Sequence, residues 1–276
     1  MKCEGSIRQG SARVISAGTD MSEPTDLKRS EEFDGWPAPV TVLNEHGASD
    51  LALICEHASN FVPSSYDGLG LSHHQLRQHI AYDLGAAELT AALSTRLDAP
   101  AFLGNYSRLL VDLNRPPGVP SSMPVISERT DIPGNENLQQ DEIDRRLEKI
   151  FYPFHRRISD FLIKRRNSKR RTVLVSIHSF SPVYAGEWRP FHVGVLFERS
   201  AELALSVLRA LRRTPNIVAE ANVPYHIQVD GDYTVPVHGT RTNTPILLIE
   251  VRNDGLATQA DVDAWSTRIA AAFEGM

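Results

Sequence analysis

The chain has 276 residues, of which 41% are hydrophobic and 23% are charged, and it contains 17 Gly, 17 Pro and 2 Cys. This composition excludes collagen-like, low-complexity and disulfide-stapled proteins, and the length suits one large domain with a substantial core. The formal charge of -5, from 29 Lys and Arg against 34 Asp and Glu, gives no general attraction to nucleic acid or to anionic lipid.

Residues 1–34 are rich in Ser, Gly, Glu and Lys and show no helical or strand periodicity. They predict a flexible tail, followed by a single domain at 35–276. Met21 is an alternative start. No apolar run approaches the roughly 20 residues that cross a bilayer, and no apolar stretch typical of a secretory signal is present near the N-terminus. We therefore expect a cytoplasmic protein with no membrane partner.

From Trp36 onward, short runs of Val, Ile and Leu alternate with helical patterns, which predicts an α/β fold. The predicted core strands, each covered on both faces, lie at 51–55, 109–113, 172–177, 192–197 and 246–251. Apolar residues at three- and four-residue spacing predict helices at 76–91, 143–162, 203–211 and 262–273. Pro153 predicts a kink, or two abutting helices, in the second of these.

Polar side chains follow or end several predicted strands. Glu56 and His57 come directly after the first strand, His178 follows the strand at 172–177, and Glu250 lies near the end of the last one. In an open α/β sheet such groups gather at the carboxyl edge, where ligands bind. Two histidines from different strand ends and one carboxylate would make a three-ligand zinc site with an open position.

Asp83 is the candidate third ligand, because it follows the first strand on a predicted helix and lies four residues after His79, on the same face. Glu250 is the candidate base that takes a proton from the attacking water. Simpler interpretations remain open at this point. Each histidine could be hydrogen-bonded near the core, Asp83 could form an ordinary ion pair, and Glu250 could pair with Arg252.

Two arginines flank a predicted strand that contains a buried acid, Asp112. Arg108 and Arg115, together with Arg252, could form a cradle for an acidic small molecule, because guanidinium groups bind carboxylates through two parallel hydrogen bonds. Alternatively, one or more of them neutralises Asp112 or Glu250.

Several short motifs occur in order between about residues 50 and 255. They are Cys55-Glu56-His57-Ala58-Ser59-Asn60, His79-Ile80-Ala81-Tyr82-Asp83-Leu84-Gly85, Tyr106-Ser107-Arg108, Asn114-Arg115-Pro116, Tyr152-Pro153-Phe154-His155, Ser176-Ile177-His178-Ser179-Phe180, Asn222-Val223-Pro224-Tyr225 and Glu250-Val251-Arg252-Asn253-Asp254. Together they resemble the N-formylglutamate amidohydrolase family. The resemblance implies a three-layer α/β/α fold with a mostly parallel or mixed sheet, related to zinc-dependent exopeptidases. It also implies an enzyme of amino-acid metabolism that hydrolyses N-formyl-L-glutamate to formate and L-glutamate.

The resemblance further implies roles for particular residues. By analogy with related zinc amidases, His57, Asp83 and His178 would bind zinc or another divalent metal, and Glu250 would be the base. Arg108 or His155 would stabilise the developing oxyanion. The residues expected to bind the small acidic substrate are Arg115, Arg252, Asn114, Ser59 and Asn60. Many zinc exopeptidases carry an acidic ligand where this chain has Asn60, which is why Asp83 is the expected carboxylate ligand.

Two other functions remain open from the sequence. The same fold could hydrolyse a different N-acyl amino acid or a cell-wall peptide, because pocket loops determine specificity. Alternatively, the chain could be a non-catalytic protein that binds an acidic metabolite through its arginines. Metal content separates the second alternative from both enzymes, whereas the sequence leaves the oligomeric state open.

Overall fold

A seven-stranded sheet organises residues 36–274, which are the residues that the computed structural model describes. In chain order, its strands are β1 (Val40–Leu43), β2 (Leu51–Cys55), β3 (Ala101–Gly104), β6 (Val173–Phe180), β9 (Val193–Leu196), β10 (Ala219–Ala221) and β11 (Ile246–Arg252). The remaining strands form two small hairpins, of β4 (Ile126–Ser127) with β5 (Thr130–Asp131) and of β7 (Val183–Tyr184) with β8 (Glu187–Trp188). The tail predicted at 1–34 lies outside the described residues.

The order across the sheet is β1-β3-β2-β6-β11-β9-β10. Strands β3, β2, β6 and β11 run parallel to one another, whereas β1 is antiparallel to β3 and β9 is antiparallel to β11. The central strands β2, β6 and β11 therefore end at the same edge of the sheet. Their carboxyl ends carry the polar residues that the sequence analysis singled out.

Helices cover both faces of the sheet. Successive residues of each strand point to opposite faces, so each face presents apolar side chains that a layer of helices buries. They are α1 (Ala86–Leu97), α2 (Gln140–Arg146), α3 (Tyr152–Asn167), α4 (Ala201–Arg212) and α5 (Gln259–Phe273). Leu53 of β2 packs in a core with α1, α4 and α5, and its neighbour Ile54 packs in a second core with α3. The predicted three-layer α/β/α fold with a mostly parallel, mixed sheet is confirmed.

Most of the predicted elements are confirmed. The strands predicted at 51–55, 172–177, 192–197 and 246–251 correspond to β2, β6, β9 and β11, and the last two predicted helices correspond to α4 and α5. The helical pattern at 143–162 forms α2 and α3, joined by a π-helical turn at Leu147–Phe151, and Pro153 lies in the first turn of α3. Proline fits there because the first helical turn leaves backbone N–H groups unpaired in any case.

Two predicted elements are wrong. Residues 109–113 form turns instead of a strand, although Leu109, Leu110 and Val111 are fully buried. The predicted helix at 76–91 exists only in its second half, because α1 begins at Ala86, after Gly85 with a φ of 77°. Asp83 therefore lies in a turn and not on a helix. No helix within the described residues has the length and apolar character needed to span a membrane.

Candidate metal and catalytic site

The carboxyl ends of the central strands border a cavity of about 370 Å³. His57 follows β2, His178 lies in β6, and Glu250 of β11 is the in-register neighbour of His178. Asp83 reaches the same place from the turn before α1, where its backbone N–H donates to the carbonyl of His57 over 3.0 Å. The sheet edge thus brings together four of the residues that the sequence predicted for the site.

Two histidines present the same ring nitrogen to one carboxylate. Nδ1 of His178 lies 2.7 Å from Oδ2 of Asp83, and Nδ1 of His57 lies 3.4 Å from the same oxygen. One ligand atom from each of the three residues lies within 4.8 Å of the other two, and all three residues are buried. Nδ1 of His57 has no hydrogen-bond partner in the part of the chain that the structure describes. A buried nitrogen without a partner is costly unless it binds an ion.

The opposite nitrogens of both rings are held by other carboxylates. Nε2 of His57 lies 2.7 Å from Oδ1 of Asp112, and Nε2 of His178 lies 3.1 Å from Oε2 of Glu56. Ser176 donates a hydrogen bond of 2.8 Å to the same oxygen of Glu56. Carboxylates that accept from the distal N–H of a histidine fix the ring and raise its basicity, which is the arrangement found around metal-binding histidines. The donor set therefore fits zinc or a similar divalent cation.

The charges around this cluster also favour a cation. Among the described residues, the carboxylates of Glu56, Asp83, Asp112 and Glu250 are all buried at the site, and the neighbouring fixed cation is Arg108. Buried carboxylates in excess over cations are costly unless protons or a metal ion balance them. A divalent cation held between the histidines and Asp83 would offset most of this excess.

The pKa values of the histidines show the same excess of negative charge. Burial by itself would lower the pKa of His178, but the carboxylates of Glu56 and Asp83 outweigh burial and raise the pKa well above its ordinary value. Burial and the charge of Arg108 lower the pKa of His57, yet Asp112 and Asp83 raise it overall. Each ring therefore binds a positive charge at this position, which a metal ion can supply in place of a proton.

Glu250 faces the site without a hydrogen-bonded partner for its Oε2 atom among residues 36–274. Burial raises the pKa of this carboxyl group to about 7, against the opposing effect of the nearby His178. A carboxylate that exchanges a proton near neutral pH, beside a group of metal-ligating type, suits a general base. The open alternative in which Glu250 pairs with Arg252 is not observed, because Arg252 donates to Asp254 over 2.8 Å.

Of the three arginines of the predicted cradle, two line the cavity and one does not. Arg108 lines the cavity and donates to Asp112 over 2.9 Å, and Arg115 lines it and pairs with Asp232. Arg252 is absent from the described cavity lining, since its guanidinium group binds Asp254 and the backbone carbonyls of Arg189 and Phe191. The alternative interpretation, in which an arginine neutralises Asp112, therefore holds for Arg108. Arg115 also neutralises an acid, but this acid is Asp232.

Three other predicted residues are also not part of the described cavity lining. Asn60 donates to the carbonyl of Leu76 over 2.8 Å, and Ser59 accepts from the backbone N–H of Phe61 over 3.1 Å, so both stabilise local loop structure. His155 is buried beneath the site and hydrogen-bonds to the carbonyl of Leu113. Asn114, in contrast, lines the cavity, and its side-chain oxygen accepts from the backbone of Thr234 over 3.0 Å.

His155 forms a buried pair with His238, which lies in the π-helical turn Val235–Thr240. Nδ1 of His155 lies 2.9 Å from Nε2 of His238, and Nε2 of His155 lies 2.8 Å from the carbonyl oxygen of Leu113. Since the carbonyl can only accept, His155 donates to it and accepts from His238. Burial lowers the pKa of His155 to about 3 and that of His238 to about 4. Both rings are therefore neutral at physiological pH.

Acid should weaken the fold through this pair, and replacing His238 by glutamine should reduce the effect. Between pH 6.5 and 4 the unfolded chain binds a proton at residue 238 that the folded chain does not bind. The free energy of unfolding therefore falls as the pH falls. We expect the unfolding free energy of the parent to lose about 3 kcal/mol more than that of the His238→Gln variant between pH 7 and pH 4.

The glutamine variant keeps an N–H donor for His155. Urea titrations at both pH values measure the difference, with exposed His73→Gln as control. Parallel pH profiles for parent and His238→Gln would contradict the assignment.

Several cavity residues have no counterpart in the sequence-based site. They include Tyr184, Arg189, Tyr225 and Asp232. All lie in loops or in the short β7–β8 hairpin, where no helical or strand periodicity marks them. The available signal was Tyr225, which is part of the motif Asn222-Val223-Pro224-Tyr225 and which the sequence analysis left without a role.

The family model for N-formylglutamate amidohydrolase matches residues 49–257. The chain belongs to this family. Membership makes it one of the amide hydrolases, and the match spans all the residues of the buried histidine and carboxylate cluster. No curated protein matches the chain significantly.

Solved structures agree with the family assignment. A gene product of Agrobacterium tumefaciens is 36% identical, with a TM-score of 0.81 over 84% of this chain and 92% of that one. An N-formylglutamate amidohydrolase from Ralstonia eutropha is 19% identical, with a TM-score of 0.61 over 84% of this chain and 97% of that one. At 19% identity, the similarity to the Ralstonia eutropha structure shows that the two chains share a fold.

Proposed function

We propose that the protein is a metal-dependent amidohydrolase that cleaves N-formyl-L-glutamate to formate and L-glutamate. The observation that carries the proposal is the arrangement of His57 and His178, whose Nδ1 atoms face Asp83 while their Nε2 atoms are held by Asp112 and Glu56. Family membership supports amide hydrolysis as the reaction. The substrate and the metal requirement are the parts that need a test.

His57, Asp83 and His178 would hold the metal ion through Nδ1, a carboxylate oxygen and Nδ1. A bound divalent metal lowers the pKa of water and polarises a carbonyl oxygen. Asp112 and Glu56 orient both imidazoles by accepting the proton on Nε2, so that each Nδ1 could bind a metal ion once it has lost its own proton. Their charges also strengthen both rings as ligands.

Glu250 would move the protons of the reaction. As a carboxylate, it takes a proton from the attacking water, and as a carboxylic acid it then donates this proton to the amide nitrogen that leaves. Its pKa of about 7 suits both steps, since neither protonation state is strongly disfavoured near neutral pH. Arg108 is held by Asp112 and is partly exposed in the cavity, and it would donate to the oxygen that gains negative charge.

Formate release from N-formyl-L-glutamate tests the proposal. Protein stripped of metal with a chelator should release none, and addition of one equivalent of zinc should restore release. Magnesium should restore it poorly, because two imidazoles favour zinc over magnesium. Release that is unaffected by stripping would contradict the metal requirement. Stoichiometric zinc binding without release would retain the hydrolase and reject this substrate, in which case N-acetyl-L-glutamate and other N-acyl amino acids are the next substrates to assay.

A further inference from the structure

Among the described residues, three arginines line the cavity, and they differ in how their charge is balanced. Arg108 pairs with Asp112 and Asp83, and Arg115 pairs with Asp232. Arg189 has no carboxylate partner anywhere in residues 36–274. It is therefore the cavity arginine whose positive charge remains available for an anionic ligand.

The guanidinium group of Arg189 is nevertheless held in place. One terminal nitrogen donates to the carbonyl of Ser181 over 3.3 Å, and the other donates to the hydroxyl of Tyr225 over 3.3 Å. Its central carbon lies 4.6 Å from the ring centroid of Tyr184, 5.1 Å from that of Tyr225 and 5.7 Å from that of Phe180. These contacts fix the plane of the group but bring no negative charge to it. Donors remain for a ligand, because a guanidinium group has five N–H groups.

The backbone around Arg189 is fixed as well. Its N–H donates to the carbonyl of Pro182 over 2.8 Å, which closes the β7–β8 hairpin, and its own carbonyl accepts from Arg252 over 2.9 Å. The guanidinium carbon of Arg252 also lies 4.8 Å from the ring centroid of Trp188. Arg252, which the sequence predicted to bind substrate, thus supports the segment that carries Arg189.

Tyr225 lies beside Arg189 in the cavity wall. Partial burial raises the pKa of Tyr225, the hydrogen bond from Arg189 lowers it, and the charges of Glu250 and Arg108 also act on it. The hydroxyl of Tyr225 and the candidate base Glu250 belong to residues that line the same cavity. Arg189 is one hydrogen bond away from this hydroxyl, on the wall of the same cavity.

We propose that Arg189 binds a carboxylate of the N-acyl amino acid and so determines specificity for acidic substrates; this rests on the proposed hydrolase function. A planar, fixed guanidinium group suits bidentate binding of a carboxylate. The rest of the cavity favours this placement, because five carboxylates line it and would repel an anion placed next to them; they belong to Asp83, Asp112, Glu128, Asp232 and Glu250. The aromatic rings beside Arg189 reduce its hydration and strengthen the ion pair.

Steady-state kinetics of Arg189→Met on three substrates test the proposal. They are N-formyl-L-glutamate, its side-chain amide N-formyl-L-glutamine and its α-amide N-formyl-L-isoglutamine. The variant should raise KM for the diacid by about 10- to 100-fold, with kcat changed little, because it loses a charge-assisted hydrogen bond made to the ground state and transition state alike. The amide that keeps the carboxylate bound by Arg189 should show the same rise in KM. The other amide, which lacks this carboxylate, should show no change in KM. Equal changes for all three substrates, or no change, would overturn the proposal.

Two matched variants control for charge and shape. Arg209→Met removes an exposed arginine of α4 and should leave every KM unchanged. Arg189→Lys keeps the charge but loses the planar guanidinium group that binds a carboxylate through two hydrogen bonds. Its substrate affinity should therefore lie between those of Arg189→Met and the parent. A lysine variant no better than methionine would show that charge at this position does not bind the substrate.

A binding measurement separates this proposal from the proposed function. If zinc-loaded parent protein releases formate from none of the three substrates, the substrate assignment fails, and Arg189 is then judged by calorimetry with glutarate, a diacid without an amide. The parent should bind glutarate about 10-fold or more tightly than Arg189→Met. Equal dissociation constants, or no binding by the parent, would overturn the role of Arg189 whatever the reaction is.

Discussion

Replacing Glu250 by glutamine should lower kcat for amide hydrolysis by about 10²- to 10⁴-fold, the usual contribution of a general acid–base group. Glutamine cannot take a proton from water or pass one to the leaving nitrogen. The fold should tolerate the change, since burial already raises the pKa of Glu250 to about 7 and a protonated carboxyl group resembles an amide in shape. Formate release under single-turnover and steady-state conditions measures the loss.

The same variant should still bind one zinc ion per chain, because Glu250 is not one of the three grouped ligand residues. Glu202→Gln, at an exposed position of α4, is the matched control and should keep parent activity. Near-parental turnover by Glu250→Gln would remove Glu250 from the mechanism. Loss of zinc together with activity would assign it to the metal instead.

Replacing Asp83 by asparagine should nearly abolish zinc binding. Asp83 is the carboxylate that both histidines face, and a neutral amide is a much weaker ligand for a divalent cation. Asp112→Asn should have a smaller effect, a loss of about 10- to 100-fold in zinc affinity, since Asp112 only orients His57. Competition with a chromogenic chelator measures both affinities.

Glu128→Gln provides the control for this series, because Glu128 lines the same cavity but pairs with His79 at the surface. Its zinc affinity should equal that of the parent. If Asp83→Asn, folded as judged by circular dichroism, bound zinc as tightly as Glu128→Gln, the three-residue site would be wrong.

The strand ends were predictable because their signal is local. Continuous apolar runs at 51–55, 172–177 and 246–251 read as covered strands, and parallel strands end at a common edge. That geometry made His57, His178 and Glu250 candidates for the site. Asp83 was identified as a candidate but was predicted on the wrong element, since the apolar spacing before Gly85 comes from a partly buried loop and not from an α-helix.

The partners of the arginines were not predictable in the same way. Arg115 pairs with Asp232, which lies 117 residues further along the chain, and no sequence pattern links the two. Arg189 was missed because its role depends on what surrounds it, namely aromatic rings and no carboxylate among the described residues. Arg252 pairs with Asp254, only two residues away, whereas the sequence had suggested Glu250 as its partner. The tertiary structure determines which acid pairs with which arginine. Sequence patterns therefore identify arginines that could bind an anionic ligand, but they do not show which of them already pair with a carboxylate.

Diffraction from crystals of zinc-loaded protein, collected on both sides of the zinc absorption edge, tests the metal site most directly. We expect one strong anomalous peak, at about 2.0 to 2.2 Å from Nδ1 of His57, Nδ1 of His178 and a carboxylate oxygen of Asp83. A peak bound elsewhere, or no peak in crystals whose protein hydrolyses N-formyl-L-glutamate, would contradict it.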